Sequence, residues 1–194
     1  SDIVKKYLAG EFGKKASDVA PKTASTFFAI DRYVSYKTKW EKFYKDNGII
    51  IADRYTTSNM IHQASKIDDE SKKEEFLNWL EDLEYNIYSL PRPDVTIFLD
   101  VPVQIGYEIS KNRKNKINGS ETLDIHESDR EYINKSYENS KFIAKKYGWE
   151  TICCVKDEKM RTIEDIHEQI YEIIKKIAAQ HAGIDKQDGS ETYD

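Results

Sequence analysis

Apolar side chains recur every three or four residues through most of this 194-residue chain, which is the spacing that buries one face of a helix. The pattern predicts a short helix over residues 3–9 that ends at Gly10, and a long helix from Pro21 to residue 45. Five further helices are predicted over residues 57–66, 71–88, 103–113, 128–147 and 162–179. A chain of this length is expected to form one domain around one core.

Three short apolar runs interrupt the helical pattern, over residues 48–52, 94–101 and 150–155. Each is compact and lies beside a glycine or proline, as expected of strands that are buried on both faces of a parallel sheet. Because strands alternate with long helices, we expect an α/β domain over residues 1–180 whose sheet is covered on both sides. The polar segment 181–194 is predicted to be a disordered tail.

Composition and charge exclude several classes of protein. Lys and Arg total 30 against 35 Asp and Glu, and the net charge of −5 gives no general attraction for nucleic acid. No run approaches the roughly 18 consecutive apolar residues of a membrane span. The two cysteines, Cys153 and Cys154, are adjacent and do not make a disulfide framework. We therefore expect a cytoplasmic protein that binds neither nucleic acid nor a membrane.

A charged pair, Asp53 and Arg54, directly follows the apolar run over residues 48–52. Ligands of open parallel sheets sit beyond the carboxyl ends of the strands, so this pair lies where a site is expected. An Asp there can support a magnesium ion, and an Arg can hold a phosphate through two parallel N–H bonds. A strand-end ion pair without a catalytic role has the same signature, and position alone does not separate the two.

Two residues of the long helix, Phe28 and Arg32, are four positions apart and therefore share a face. An aromatic ring beside a fork of donors can stack on a base and hydrogen-bond to it. Aromatic residues at helical spacing are also the normal filling of a core. Residues 56–62 likewise have the composition of an ordinary helix start, because Thr, Ser and Asn are favoured as caps.

Residues 112–127 lack apolar periodicity, which predicts a mobile basic loop that can close over a polyphosphate. The basic residues that matter here are Arg113, Lys114 and Lys116. A run of charges is also typical of a solvated surface, so the loop alone does not establish a phosphate site.

Taken in order, three motifs resemble those of the thymidylate kinase family, P-loop enzymes that transfer the γ-phosphoryl group of ATP to dTMP. The motifs are Phe28-x-x-x-Arg32, Asp53-Arg54-Tyr55-x-x-Ser58-Asn59, and Pro91-x-Pro93-Asp94-x-x-x-x-Leu99-Asp100-Val101. The resemblance extends over residues 3–177. It implies a P-loop NTPase-like, three-layer α/β/α fold with a parallel sheet, the use of ATP and Mg²⁺, and a homodimer.

The resemblance also implies a set of dTMP-binding residues. The base is expected to stack on Phe28 and to bond Arg32 through a carbonyl, and the phosphate is expected to be held by Arg54. The other residues implied to line dTMP are Tyr55, Ser58, Asn59 and His62. His62 stands where the family often has an aromatic residue beside the sugar, so deoxyribose selectivity is left open.

On the ATP side, the resemblance implies that the catalytic residues are Arg54, Arg113 and Asp53, with Asp53 serving the magnesium site. Arg113 is expected to face the ATP phosphates from the lid, with Lys114 and Lys116 beside it. Catalysis in this class is chiefly positioning and charge neutralisation. Where the family has an Asp-Arg-x-Glu element, residues 124–127 read Asp-Ile-His-Glu, and Arg130 is the candidate replacement.

One family feature is absent from the sequence. No Gly-x-x-x-x-Gly-Lys-Ser/Thr loop, which cradles the ATP phosphates, occurs among the 194 residues. We expect that an N-terminal strand, the phosphate loop, its helix and the next strand are missing, which leaves exposed apolar strand edges and a chain without dTMP kinase activity. A fragment, a degenerate homologue and a site completed by a second chain are the open explanations.

Two other functions stay open on the sequence. A deoxynucleoside kinase shares the sheet and a basic lid, but would have Glu-Arg-Ser in place of Asp53-Arg54-Tyr55. A catalytically inactive nucleotide-binding or scaffold protein is compatible with the absent phosphate loop. Separate assays with thymidine and dTMP distinguish the first, and titrations with dTMP and ATP distinguish the second.

Overall fold

The computed structural model describes residues 2–110 and 130–188, most of which are helical. The α-helices are α1 (Asp2–Leu8), α2 (Pro21–Ser35), α3 (Glu41–Lys45), α4 (Thr56–His62), α5 (Glu70–Glu81), α6 (Val103–Ser110), α7 (Arg130–Lys146) and α8 (Ile163–Asp188). Two π-helical segments, Tyr36–Trp40 and Asp82–Ile87, continue α2 and α5. Short 3₁₀ turns cover Ala16–Asp18 and Ala64–Lys66. Each helix predicted from the apolar spacing has a counterpart here.

The sheet consists of two parallel strands, β1 (Ile97–Asp100) and β2 (Glu150–Cys153), with Ile97 opposite Glu150. A separate antiparallel hairpin pairs β3 (Val155–Lys156) with β4 (Lys159–Met160). The predicted strands over residues 94–101 and 150–155 and their parallel pairing are therefore confirmed, with shorter bounds. Their predicted burial on both faces was wrong, because Ile152 is the one buried residue of β2 and none of β1 is fully buried.

The largest buried cluster lies between helices. Its members come from α4, the turn after it, α5 and α7, and they are Met60, Ala64, Phe76, Leu77, Leu80 and Ile143. Helix α4 packs against α7, and α2, α4 and α5 contact one another. Burial of apolar surface stabilises by roughly 25 cal/mol per Å². This cluster therefore fixes the position of α4, the helix that follows Asp53 and Arg54.

A second buried cluster joins α1 to α2. Tyr7 and Ala24 are fully buried and Val19 nearly so, and Phe27 and Phe28 pack against them. Helix α1 thus anchors the first turns of α2, the helix that carries the predicted base-binding residues.

The apolar run over residues 48–52 is not a strand, and this prediction was wrong. Its backbone is irregular, and the side chains of Ile49 and Ile51 are 65% and 76% exposed. A β-branched run becomes a strand only when a neighbouring strand takes its backbone hydrogen bonds, and none of the described strands pairs with it. Leu99 of β1 is also 45% exposed. Aliphatic side chains therefore face solvent at these positions.

The long helical stretch from Pro21 ends at Lys45, and Asn47, two residues later, has a φ of 61°. The N–H of Gly48 donates to the carbonyl of Phe43 at 2.9 Å. The Phe43 ring occupies the place where a β-carbon on Gly48 would lie, so a larger residue would displace the ring. The predicted helix stop at Asn47-Gly48 is confirmed.

The last helix continues to Asp188, so the backbone over residues 181–188 is helical where the sequence predicts a disordered tail. The predicted basic loop, with Arg113, Lys114 and Lys116, lies outside the described residues. Within residues 2–110 and 130–188, no helix is long and apolar enough to cross a membrane.

Candidate functional site

Asp53 and Arg54 lie between the irregular segment 48–52 and the start of α4. Both side chains are exposed, and Arg54 has a φ of 68°, in the left-handed region that a residue with a β-carbon rarely adopts. Its Nε donates a hydrogen bond to Oγ of Ser58 at 3.1 Å. This conformation occurs in turns as well as at functional sites, and Asn47, after the helical stretch, has it too.

The centre of the site is a carboxylate that the sequence motifs do not include, Glu84. Its side chain is fully buried within the π-helical segment Asp82–Ile87. Arg32 of α2 donates to both carboxylate oxygens, from Nε at 2.5 Å and from Nη2 at 2.9 Å. Thr56 Oγ1 and Asn59 Nδ2 of α4 donate to it at 2.9 and 3.3 Å. Glu84 therefore links α2 and α4 through the paired, hydrogen-bonded arrangement that a buried charge requires.

Tyr55 connects this cluster to the segment before β1. Its hydroxyl donates to the carbonyl oxygen of Pro91 at 3.0 Å, and the Arg32 guanidinium lies 5.4 Å from the centre of its ring. Burial raises the pKa of the Tyr55 hydroxyl well above its ordinary value, an effect that the charge of Arg32 partly opposes. The hydroxyl stays protonated and acts as a donor. The three motifs, distant in sequence, thus meet around Arg32, Tyr55 and Glu84.

Phe28 lies one turn before Arg32 on α2 and is half-buried. Its ring meets the ring of Tyr7 nearly edge-on, with centroids 5.9 Å apart, and packs against the buried cluster of α1 and α2. Phe28 therefore packs as a core residue, as the helical spacing of the aromatic residues predicts. Phe28 stays partly accessible, and it lies four positions before Arg32 on the same helix.

Asn59 and His62 occupy successive turns of α4 but face different neighbours. The amide nitrogen of Asn59 lies 3.4 Å from the carbonyl oxygen of Ser25, on α2. The ring of His62 lies 6.3 Å from the ring of Tyr132, on α7, whose hydroxyl donates to the His62 carbonyl at 2.9 Å. Asn59 therefore belongs to the Glu84 cluster, whereas His62 is placed against α7.

The sequence profile of the thymidylate kinase family matches residues 3–170, which contain all three motifs. The chain belongs to the thymidylate kinase family. A thymidylate kinase of Mycobacterium tuberculosis is 30% identical over 131 residues, 68% of this chain and 59% of that relative. Probable thymidylate kinase 1 of Saccharolobus solfataricus is 30% identical over 149 residues, 77% of this chain and 65% of its own length. The matched region thus spans less than two thirds of these relatives.

Thymidylate kinase family membership implies the α/β fold of P-loop NTPases, with which the parallel pairing of β1 and β2 is consistent. Within the described residues, no group of three or more His, Cys, Asp or Glu side chains comes close enough to hold a metal ion. Asp53 is a single exposed carboxylate. One carboxylate fits Mg²⁺ only where substrate phosphates and water complete the coordination, which is the usual arrangement in kinases.

Glu84 is the residue that sequence reasoning missed, although the chain contains a signal for it. Leu77 and Leu80 are fully buried on α5, and Glu84 follows at the spacing of the same helix face. A charged residue on an otherwise apolar helix face is rarely buried without a partner. That departure marks Glu84 as a candidate, but the identity of its partners requires the fold.

Proposed function

We propose that this chain supplies the dTMP-binding part of a thymidylate kinase that transfers the γ-phosphoryl group of ATP to dTMP with Mg²⁺. The observation that carries the proposal is the cluster around Glu84, because it joins residues of the three family motifs in one place. The names of the relatives support the same substrate.

At the base end, Phe28 and Arg32 act together. The accessible part of the Phe28 ring offers a stacking surface, and stacking on an aromatic side chain is worth roughly 1–3 kcal/mol per base. Arg32 uses Nε and Nη2 for Glu84, which leaves Nη1 for a thymine carbonyl. Asn59, which shares Glu84 with Arg32, contributes a further contact to the base.

At the phosphate end, Arg54 holds the dTMP phosphate and Asp53 serves the magnesium site. Both side chains are exposed at the start of α4, where a ligand reaches them without displacing the core. Ser58 restrains the Arg54 side chain through its hydroxyl. A bidentate contact between a guanidinium and a phosphate adds direction as well as affinity.

The ATP side of the reaction needs a unit beyond the described residues. The sequence has no phosphate-loop motif, and Ile49, Ile51 and Leu99 expose aliphatic surface that a further strand would cover. The lid residues Arg113, Lys114 and Lys116 are assigned to the ATP phosphates through the family resemblance alone. We therefore expect these 194 residues to bind dTMP without turning it over.

A homodimer is proposed through one exposed surface of α2 and the π-helical segment after α5. Ile30 and Val34 of α2 are 45% and 50% exposed, and Ile87 is 65% exposed. The rings of Tyr33 and Tyr88 meet at 5.4 Å, so the two parts of the surface are continuous. Contiguous apolar surface of this kind favours association, which sedimentation of the wild-type chain and of Val34→Lys would measure.

Calorimetric titration with dTMP, thymidine and ATP tests the proposal. The chain is expected to bind dTMP more tightly than thymidine, because Arg54 contacts the phosphate. Arg54→Ala should weaken dTMP binding by roughly 1.5–3 kcal/mol and leave thymidine binding unchanged. Arg92→Ala, which removes another exposed arginine that pairs with Glu81 at 3.6 Å, is the matched control. Equal affinities for dTMP and thymidine would contradict the phosphate role of Arg54 and favour a nucleoside substrate.

A further inference from the structure

Glu84 restricts the direction in which Arg32 can bind a ligand. Nε and Nη2 of Arg32 face the two oxygens of the carboxylate, at 2.5 and 2.9 Å. Because the guanidinium is planar and its N–H groups form a rigid fork, Nη1 is left to donate on the side away from Glu84. The position of the carboxylate therefore determines where the remaining donors of Arg32 point.

Glu84 also fixes the orientation of the Asn59 amide. Nδ2 of Asn59 lies 3.3 Å from Oε1 of Glu84 and 3.4 Å from the carbonyl oxygen of Ser25. Both neighbours are acceptors, so turning the amide over would place oxygen against oxygen. The amide oxygen of Asn59 is thereby left as the acceptor for a ligand.

We propose that Glu84 is the positioning residue that makes this site select thymine over cytosine. The inference rests on the proposed function, since it states what sets the choice of base at the dTMP site. Thymine offers the acceptor O4 and the donor N3–H, whereas cytosine offers an amino donor and the acceptor N3. A donor from Arg32 and an acceptor from Asn59 satisfy both groups of thymine, and each faces a like group in cytosine.

A role in folding alone does not explain why Glu84 is buried against Arg32 and Asn59. Buried ion pairs add little net stability, and apolar residues of similar volume often replace them without loss. Here the carboxylate is fully buried while the Arg32 side chain keeps 14% of its surface accessible, one turn from Phe28. Glu84 thus orients two recognition side chains before a ligand arrives, which reduces the cost of ordering them on binding.

The test is the ratio of dTMP to dCMP affinity, measured by calorimetry on the full chain. In Glu84→Gln an amide NH₂ replaces one carboxylate oxygen and faces a donor of Arg32 or Asn59, so one of the two must reorient. The wild type should prefer dTMP by about a hundredfold or more, and Glu84→Gln should lower that preference by about tenfold or more. A smaller folded fraction lowers both affinities equally, so a change in the ratio reports on positioning.

Two further variants complete the design. Glu84→Asp keeps both oxygens but withdraws them by one methylene, so its dTMP preference should lie between those of the wild type and Glu84→Gln. Glu81→Gln, three residues earlier in the same helical stretch, removes an acidic group that pairs with Arg92 at 3.6 Å. This control should keep the wild-type ratio, because Glu81 does not contact Arg32 or Asn59 in any hydrogen bond of the cluster.

A folded Glu84→Gln whose ratio stays within about twofold of the wild type would overturn the proposal, since that corresponds to less than 0.5 kcal/mol. If Glu84→Gln does not fold, Glu84→Asp decides, and an unchanged ratio there would overturn it equally. A wild-type chain that binds neither nucleotide contradicts the proposed function and this inference together. If the wild type binds dTMP and the variants keep its ratio of dTMP to dCMP affinity, only the role of Glu84 is contradicted and the proposed function stands.

Discussion

The Glu84 cluster and the irregular segment 48–52 differ in the partners that their side chains find. Around Glu84, charged and polar side chains from α2 and α4 are buried and hydrogen-bonded to one another. In the segment 48–52, Ile49 and Ile51 are mostly exposed although their residue type favours a buried strand. Side chains held between packed helices are fixed in one arrangement by their hydrogen bonds. An apolar segment with strand-forming residues, in contrast, does not form a strand unless another strand pairs with its backbone.

The largest expected effect contrasts two aliphatic residues from these regions. Leu77→Ala removes a fully buried side chain beside α4 and should cost about 2–5 kcal/mol of unfolding free energy, because it leaves a cavity. Ile51→Ala removes a side chain that is 76% exposed and should change stability by less than about 0.5 kcal/mol. Urea denaturation followed by circular dichroism measures both. A loss of several kcal/mol in Ile51→Ala would show that the segment 48–52 is covered in solution.

A smaller effect separates two adjacent aromatic residues, Phe28 and Phe27, which both pack against Tyr7. Phe28→Ala should weaken dTMP binding by roughly 1–3 kcal/mol, because the stacking surface is lost. Phe27→Ala is the matched control and should lower thermal stability while the folded protein keeps its dTMP affinity. If Phe28→Ala behaves like the control, Phe28 is a core residue only.

The smallest expected effect concerns the pH dependence of the packed region. Lys66 is half-buried, with its ammonium group 3.2 Å from the Tyr7 hydroxyl and 3.3 Å from the Val19 carbonyl oxygen. Burial lowers the pKa of Lys66 to about 8, from an ordinary value of 10.5. Between these values the unfolded chain binds more protons, so the contribution of Lys66 to stability rises with pH and is lowest below about 8.

Lys66→Met removes this titration while keeping a long side chain. The difference in unfolding free energy between the wild type and Lys66→Met should therefore shift in favour of the wild type as the pH rises from about 7 to 9.5. Thermal melts at several pH values below the ordinary range of tyrosine measure it. Parallel curves for the two proteins would contradict the lowered pKa of Lys66.

The sequence predicted those features that depend on local pattern. The helical stretch from α2 to α3, its end before Asn47 and the strands β1 and β2 follow from apolar spacing and turn residues, which act over a few positions. The prediction of a strand over residues 48–52 was wrong because its apolar pattern is typical of a strand, but none of the described strands pairs with it. Glu84 was missed because its partners lie 25 or more positions away along the chain, and local pattern does not reveal which distant helices meet.

The difference between local pattern and three-dimensional contact also decides what could be predicted of the site. The motifs identified Arg32, Tyr55 and Asn59 as neighbours of one ligand through family resemblance, and the fold brings these residues together. Their roles toward dTMP, like those of Phe28 and Arg54, stay predictions. Family motifs name the residue types that matter, whereas the buried group that orients them is visible only in three dimensions.

The measurement that tests the account most directly is turnover by the 194-residue chain after dTMP binding has been established by calorimetry. ADP release would be followed in a coupled assay with dTMP, ATP and Mg²⁺. We predict no turnover above background, because phosphoryl transfer depends on positioning of the ATP phosphates and the sequence has no phosphate loop. Turnover of about 1 s⁻¹, the low end for kinases, would contradict this prediction and would mean that other residues of this chain bind the ATP phosphates.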